Sequence, residues 1–519
     1  MGECAQIADK TEVKMAKTDS ADIKSSLQKH LPEPEALLLI PEAMARKYNA
    51  IPLRIEGDAL RVAMANPTDI VAIEALASRS EMRIQSDIAG IEEILEAIDF
   101  NYKAYDEIEK QVSNISLGIG ATKEQVKLDT TVDAPVAQAL TLIVDEAVKA
   151  RTSDIHLQPE EDKLRVRYRI DGTLQDMFSL PLATATPLIS RIKILANMNI
   201  ADHHRPQDGQ FSIKTKGRPI DIRVGTIATV YGEMATLRLL DKSRALLTLS
   251  ELGFLPESLE KYENMLKVPY GMILASGPTG AGKTTTLYAS VNGLDRVTRN
   301  IITIEDPVEY RFKNINQIQV NPRAGLTFAS GLRSILRLDP DVILVGEIRD
   351  AETANIAVQS ALTGHLVLSS IHANDAVGVV LRLLDLGIEP FLVSSALIGV
   401  VAQRMVRRIC PNCAQPAEVS MIEQMTYRKE TGEERTKFLT GSGCKTCAST
   451  GYRGRIGIYE ILAISDEIRT LLLKEATSSQ IREQALKEGM MTLMRDGMFK
   501  VKKDITTPSE VLRNAYSVD

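Results

Sequence analysis

The pattern of apolar and polar positions changes character several times along the chain. Residues 1–33 are polar and without period, carry Pro32 and Pro34 at their end, and read as a disordered arm. From Ile40 the pattern becomes regular. Pro41 to Tyr48 is helix-like, Ile51 to Ile55 and Leu60 to Met64 are strand-like about a Gly57-Asp58 turn, and Asn66-Pro67-Thr68-Asp69 caps a helix through Leu76. Ile91 to Tyr102 is again helical. These elements predict a small α+β domain over 34–110, and since nothing in it looks catalytic, docking is its expected role. Gln111 to Asp129 loses apolar periodicity and contains Gly118 and Gly120, so a linker is expected over 111–134.

A second α+β domain is expected over 135–245. An amphipathic helix, Val136 to Ala150, leads to Ser153-Asp154-Ile155-His156-Leu157 and then to a strand in which Leu164, Val166, Tyr168 and Ile170 share one face and Arg165, Arg167 and Arg169 the other. A charged row of this kind is ordinarily a solvated outer face. Asp171-Gly172 signals a hairpin turn. Further on, Ile220, Ile222 and Val224 alternate with Asp221 and Arg223, and Leu237 and Leu239 flank Arg238. Both arginines therefore leave the apolar faces of their strands.

Over 250–519 the strand-like runs become short and wholly apolar. Met272-Ile273-Leu274-Ala275 precedes Gly277-Pro278-Thr279-Gly280-Ala281-Gly282-Lys283-Thr284, and a helix is expected from Thr284 to Asn292. This G-x-x-x-x-G-K-T run between a strand and a helix is a phosphate-binding P-loop: glycines let backbone N–H groups curl around a phosphate, Lys283 neutralises it, and the Thr284 hydroxyl can ligate Mg²⁺. Thr285 belongs to the same nucleotide-binding set. The next apolar strand, Ile301 to Ile304, ends in Glu305 and Asp306, where an open parallel sheet binds ligand. Gly331 to Leu338 is helix-like, with Arg333 and Arg337 four apart on one face. Asp341 to Val345 is a strand ending in Gly346-Glu347, a Walker B pattern with the usual terminal Asp replaced. Glu347 can polarise an attacking water and help hold Mg²⁺ through a water. A helix over Ala351 to Leu362 and a strand over Leu366 to Ser370 place His365 and His372 on either side of that strand. Each histidine alone reads as readily structural, and their place beside the nucleotide strands singles them out.

Five cysteines include two C-x-x-C pairs, Cys410/Cys413 and Cys444/Cys447. Two such knuckles complete a tetrahedral S₄ site of the kind Zn²⁺ takes in structural roles, and a redox dithiol needs only one of them. A zinc-binding insert is expected over 404–460, followed by C-terminal helices over 465–515 broken at Gly489. Cys4 stands apart without a role. The composition changes the picture in one respect: 62 basic against 68 acidic residues, no tryptophan and 4% aromatics weigh against a stable nucleic-acid partner. No apolar run is long enough to span a bilayer, and the N-terminus lacks the apolar core of a signal peptide, so a cytoplasmic protein is expected.

With these motifs in place, residues 40 to 515 resemble the GspE/PilB family of type II secretion and type IV pilus assembly ATPases. The Asp box is similar to Ile304-Glu305-Asp306-Pro307-Val308-Glu309, the Walker B region to Ile343 through Asp350, and the His box to Leu362 through His365 and on to His372-Ala373-Asn374-Asp375. Ser153 to His156 and Arg205-Pro206-Gln207-Asp208-Gly209 match the second N-terminal domain. The tetracysteine insert is similar to that of assembly and secretion members, whereas retraction motors generally lack it. The resemblance implies a multidomain α/β protein: a small α+β docking domain, a PAS-like α+β domain, and a RecA-like P-loop motor with the zinc insert. It also implies a homohexamer that hydrolyses ATP with Mg²⁺ on the cytoplasmic side of the inner membrane, docked on a membrane platform or assembly protein, with Glu305, Glu347, His365 and His372 in its catalytic boxes. The family's nucleotide-contacting arginines fall on Arg223, Arg238, Arg333 and Arg337. A motor of this kind serves secretion, pilus assembly or DNA-uptake pili. Some relatives have a longer N-terminal region that binds cyclic di-GMP, and the paired arginine-and-leucine-rich segments expected for it are not evident.

Overall fold

The computed structural model describes residues 32–95, 97–98, 102, 133–215, 218–241 and 247–515. The expected arm over 1–33 and the expected linker over 111–134 lie almost wholly outside them. Among the described residues no helix is long and apolar enough to cross a membrane. The chain forms two compact units. One takes the described residues of Met1–Ile143 with Glu160–Val166 and Asp176–Thr184, and the other takes Val144–Pro159, Arg167–Gln175 and Ala185–Asp519. The stretch expected as a second domain, 135–245, is thus divided between them. The pattern change near residue 250 is not a contact boundary, because side chains on either side of it pair directly, Arg223 with Glu309 among them.

In the first unit, strands β1 (Ala50–Glu56) and β2 (Ala59–Met64) pair antiparallel across the expected turn, with Gly57 at a φ of 63°. A third strand, β3 (Arg83–Ile88), joins β2 in parallel. Its sequence, RIQSDI, carries no apolar alternation, so only the pairing defines it. The helix after Asp69 runs Ile70–Ser80, and the Asp69 carboxylate accepts the Ala72 N–H at 3.1 Å, the cap its sequence announces. Ile40, Ile51, Leu53, Leu60, Val62 and Leu76 form the core, which also takes Ala36 and Leu37 from a helix, Pro34–Leu39, that begins before the periodic stretch.

The second unit opens with strands β4 (Thr152–Pro159), β5 (Lys163–Ile170) and β6 (Thr173–Pro181), of which the last two are shared with the first unit. Asp171 and Gly172 both take positive φ, 48° and 92°, as the turn between them demands. Strands β7 (Gln207–Thr215), β8 (Arg218–Thr229) and β9 (Gly232–Asp241) follow, and β4, β9, β8 and β7 lie side by side, each antiparallel to the next.

The motor portion is built on a seven-stranded sheet in the order β12-β11-β13-β14-β10-β15-β18. Its members are β10 (Gly271–Ser276), β11 (Ile301–Glu305), β12 (Asn316–Gln319), β13 (Val342–Val345), β14 (Leu366–Ile371), β15 (Leu397–Ile409) and β18 (Tyr452–Ala463), all parallel except β18. Alternation along β10 sends Met272 and Leu274 into one hydrophobic layer and Ile273 and Ala275 into the other. That two-sided burial is why the strand reads as an unbroken apolar run. The expected helix Gly331 to Leu338 is instead Phe328–Ile335. Thr327 caps it by accepting the Ser330 N–H at 3.2 Å, a capping box that starts the helix earlier, and Arg337 falls in the turn beyond its end. The insert is also narrower than 404–460. β15 and β18 remain paired from Gly399↔Ala463 out to Ile409↔Tyr452, so only the residues between them leave the sheet. Those residues form the antiparallel pair β16 (Ala414–Glu418) and β17 (Lys437–Gly441) and the helix Met421–Thr431.

Four helices close the chain, Asp466–Leu473, Ser478–Lys487, Leu493–Lys502 and Pro508–Ala515, with Gly489 at a φ of 77° after the second. The third carries a buried charge pair whose carboxylate also fastens it to β18. Asp496 is 0% exposed, is bridged to Lys500, and accepts the Tyr459 N–H at 3.1 Å. Removing one partner of such a pair strands the other charge in the core. Asp496→Ala is therefore expected to cost about 3–5 kcal/mol, read as a lower urea midpoint by tyrosine fluorescence. An unchanged midpoint would show that Lys500 is neutral or finds water.

Candidate nucleotide site and tetracysteine centre

β10 delivers the P-loop to the C-terminal edge of the sheet. Ser276 pairs with Ala402 of β15, so Gly277 comes opposite Gln403. A Cβ on Gly277 would lie 2.3 Å from the Gln403 carbonyl oxygen, and its φ is 142°. Glycine is required there on both counts. Gln403 also donates from Nε2 to the Ala281 carbonyl at 2.6 Å, fixing the loop from behind. The helix Lys283–Gly293 starts after Gly282, with its N-terminal N–H groups at the loop. Pro278, Thr279, Gly280, Thr284 and Thr285 are exposed. Lys283 Nζ donates to the Gly277 and Pro278 carbonyls at 2.7 and 3.2 Å and pairs with no carboxylate among the described residues. Burial holds its pKa below the usual lysine value, the Glu347 carboxylate opposes that, and the Arg404 cation adds to it.

Glu347 follows β13, and His372 follows the adjacent β14, so both stand at the same edge of the sheet as the P-loop. His372 Nε2 is 3.6 Å from Glu347 Oε2, and Arg349 bridges the other carboxylate oxygen. Glu305 ends β11 but is withdrawn: it is 3% exposed and accepts from Tyr288 Oη, Thr303 Oγ1 and Gln317 Nε2. Burial, and then the bond to Glu305, push the Tyr288 phenol well above its usual pKa. A carboxylate so engaged organises the edge of the sheet and does not face an open site. His365 stands apart from the other expected catalytic groups. It precedes β14, its carbonyl accepts the Gly271 N–H at 3.0 Å, and Nδ1 lies 2.9 Å from the Ser360 carbonyl. The length of β14, about 20 Å at ~3.3 Å per residue, separates it from His372. Ligands bind at the other end of such strands, so His365 here closes the helix Ala351–Leu362.

Arg223 and Arg238 are directly opposite each other in the β8–β9 register. Like charges in such a position repel, and each is met by a carboxylate. Arg223 makes two bonds to Glu309, of 3.0 and 2.8 Å, and Arg238 donates to Asp154 at 3.1 Å. Arg333 pairs with Glu352 at 2.5 Å, and Arg337 reaches Ser334 Oγ at 3.4 Å. None of the four is drawn to the P-loop by these contacts. Three residues have partners at the site that the sequence does not announce. Glu309 and Asp154 lie in stretches that carry the resemblance, but only the fold sets Arg223 and Arg238 on them, and Gln403 lies in a strand whose register against β10 is a long-range property.

Cys410, Cys413, Cys444 and Cys447 converge, their sulfurs all within 4.8 Å of one another. The Cys410–Cys444, Cys413–Cys447 and Cys444–Cys447 separations are 3.7, 3.8 and 3.7 Å. A tetrahedron of ~2.3 Å Zn–S bonds has edges of about 3.8 Å, so the donor set fits zinc in kind and in size.

A RecA-like sheet with a lysine cradle and a carboxylate at one edge defines a P-loop ATPase. Residues 129–513 match the family described as Type II/IV secretion system protein, and residues 25–106 match the MshEN domain. The chain belongs to the type II/IV secretion system protein family and is an ATPase of the group that drives type IV pilus assembly or type II secretion. It is 41% identical over 492 residues to the Myxococcus xanthus type IV pilus assembly ATPase PilB, covering 93% of this chain and 87% of that one. It is 44% identical over 386 residues to the Vibrio cholerae type II secretion system ATPase E, covering 74% of this chain and 76% of that one. Among solved structures, the pilus retraction motor PilT with bound ADP is similar at a TM-score of 0.50 and 25% identity, over 72% of this chain and 96% of that one.

The crowding at Gly277 has a measurable consequence. Gly277→Ala must push the loop off β15 or strain its backbone, at about 1–3 kcal/mol, so affinity for a fluorescent ATP analogue is expected to fall about tenfold or more. Wild-type affinity would mean that the loop has room to shift.

Proposed function

We propose that this site hydrolyses ATP with Mg²⁺ in a homohexameric ring on the cytoplasmic side of the inner membrane, and that the work extends a pilus or pseudopilus. The reading is carried by the meeting of the Lys283 cradle with the Glu347–His372 pair at one edge of the sheet. ATP and its metal supply the phosphoanhydride bond and a divalent counter-ion. The chain's own residues do the rest. Backbone N–H groups of Thr279, Gly280 and Gly282 and the Lys283 ammonium hold the phosphates, the exposed Thr284 hydroxyl is free to ligate the metal, and Glu347, held by His372, orients the attacking water. Arg223 and Arg238 serve as cations that leave Glu309 and Asp154 as negative charge develops, and Arg333 and Arg337 act from the motor or from a neighbouring subunit. The four cysteines hold one structural Zn²⁺, which leaves no coordination position open for water. The N-terminal domain docks on an inner-membrane platform or assembly protein. A net charge of -6 supports the expectation that no nucleic acid is stably bound.

Phosphate holding and water activation are separate tasks, so the variants should part. Lys283→Ala is expected to lose binding and turnover together. Glu347→Gln should bind a non-hydrolysable ATP analogue within about threefold of wild type while hydrolysis falls at least about a hundredfold. Equal loss of binding in both variants contradicts this division. Elemental analysis of reduced protein should find about one zinc per chain, falling to none when Cys410 and Cys444 are changed to Ser; metal-free, fully folded protein would remove zinc from the proposal.

A further inference from the structure

The arginines assigned to the nucleotide by resemblance are occupied elsewhere, and a different one, on the strand beside the P-loop, has no counter-ion among the described residues. Its place follows from the strand: Ser276 pairs with Ala402, Gln403 crowds Gly277, and Arg404 is the next residue of β15. Arg404 is half-buried, and of its five N–H donors one bond is made, from Nη2 to the Asn374 carbonyl at 3.0 Å. It forms no ion pair among the described residues. The acids near it are committed: Asp375 accepts the Gly378 N–H at 2.7 Å and pairs with Arg482 at 2.6 Å, and buried Glu460 accepts the Ala376 N–H at 2.9 Å. Burial lowers the Arg404 pKa, with Asp375 and Glu460 opposing, and Arg404 in turn depresses Lys283. Arg404 thus lies close enough to the P-loop lysine to repel it, and a half-buried cation with only a neutral carbonyl to meet is costly. An anion entering the loop removes that cost.

The Asn374 contact says which part of the anion is involved. Asn374 lies two residues beyond His372, which touches Glu347, the carboxylate proposed to orient the attacking water. This is the side of the cradle where the terminal phosphate belongs. We infer that Arg404 is a further nucleotide-binding residue, its guanidinium taking the terminal phosphate of ATP while the Asn374 carbonyl links that contact to the His372–Asp375 loop. The inference rests on the nucleotide site proposed above.

The test compares two ligands on the full chain, Mg-ADP and Mg with a β,γ-imido ATP analogue, each titrated against a fluorescent nucleotide reporter. A charge-assisted hydrogen bond to the terminal phosphate predicts that Arg404→Ala weakens the analogue by about 10- to 100-fold and ADP by less than about threefold. Arg404→Lys should recover part of the difference by restoring charge. Equal losses for both ligands would mark Arg404 as a merely structural residue and overturn the inference, as would wild-type affinity for the analogue. Arg404→Gln is measured alongside, so the ligand ratio stays readable if the alanine variant does not fold. Lys283→Ala separates the two readings: if it retains both ligands, the nucleotide site itself is wrong, whatever Arg404 does.

Discussion

The structure depends most on the close approach of two backbones, Gly277 at the exit of β10 and Gln403 on β15. A parallel sheet buried on both faces brings the strand ends to one edge, and this approach decides what that edge can bind. With no Cβ between them, Gln403 can hold the P-loop from behind through the Ala281 carbonyl, leaving the exposed rim of the loop for phosphate. The neighbouring strands then set Glu347 and His372 beside it, and the next residue of β15 is Arg404. The same strand runs on without a break to Ile409, next to the first cysteine of the tetracysteine centre. One strand, β15, therefore lies against the P-loop through Gln403 and leads at its far end to the tetracysteine cluster.

Charge is distributed around this edge in two ways. Arg223, Arg238 and Arg333 are matched to Glu309, Asp154 and Glu352 at hydrogen-bonding distance, so in this state their positive charge is spent on carboxylates. Lys283 and Arg404 instead hold neutral backbone carbonyls. A carbonyl satisfies a donor without neutralising the ion, and the difference leaves the cradle electropositive while the flanking arginines are quiet. Cations paired to carboxylates can be exchanged onto a phosphate that appears between them, whereas cations on carbonyls are ready for one from the start.

Much of this was readable in the chain, for reasons that are local. Gly277 to Thr284 fix a strand-to-helix loop by their own backbone requirements. The four cysteines are defined by chemistry that few other residues share, and Asp69, Asp171-Gly172 and Gly489 announce a cap, a turn and a break through side-chain or φ preferences acting over a few residues. The apolar runs of β10, β11, β13 and β14 declare burial on both faces, which only a covered parallel sheet supplies. Family, fold class and the proposed phosphate and metal ligands all rest on such short-range signals.

What the tertiary structure alone decided is which of those residues meet. His365 and His372 flank one strand in the sequence, and the strand's length puts them at opposite edges. Glu305 and Glu347 both end apolar strands, yet the first is buried by Tyr288, Thr303 and Gln317 while the second stays with the histidine. β3 exists only through β2, the helix carrying Arg333 ends before Arg337, and the insert is narrowed by the long β15–β18 pairing. The physical reason is common to these cases. Period and composition report the face a residue occupies, but register, strand order and counter-ion choice are settled by partners tens or hundreds of residues away, as Gln403 is for Gly277.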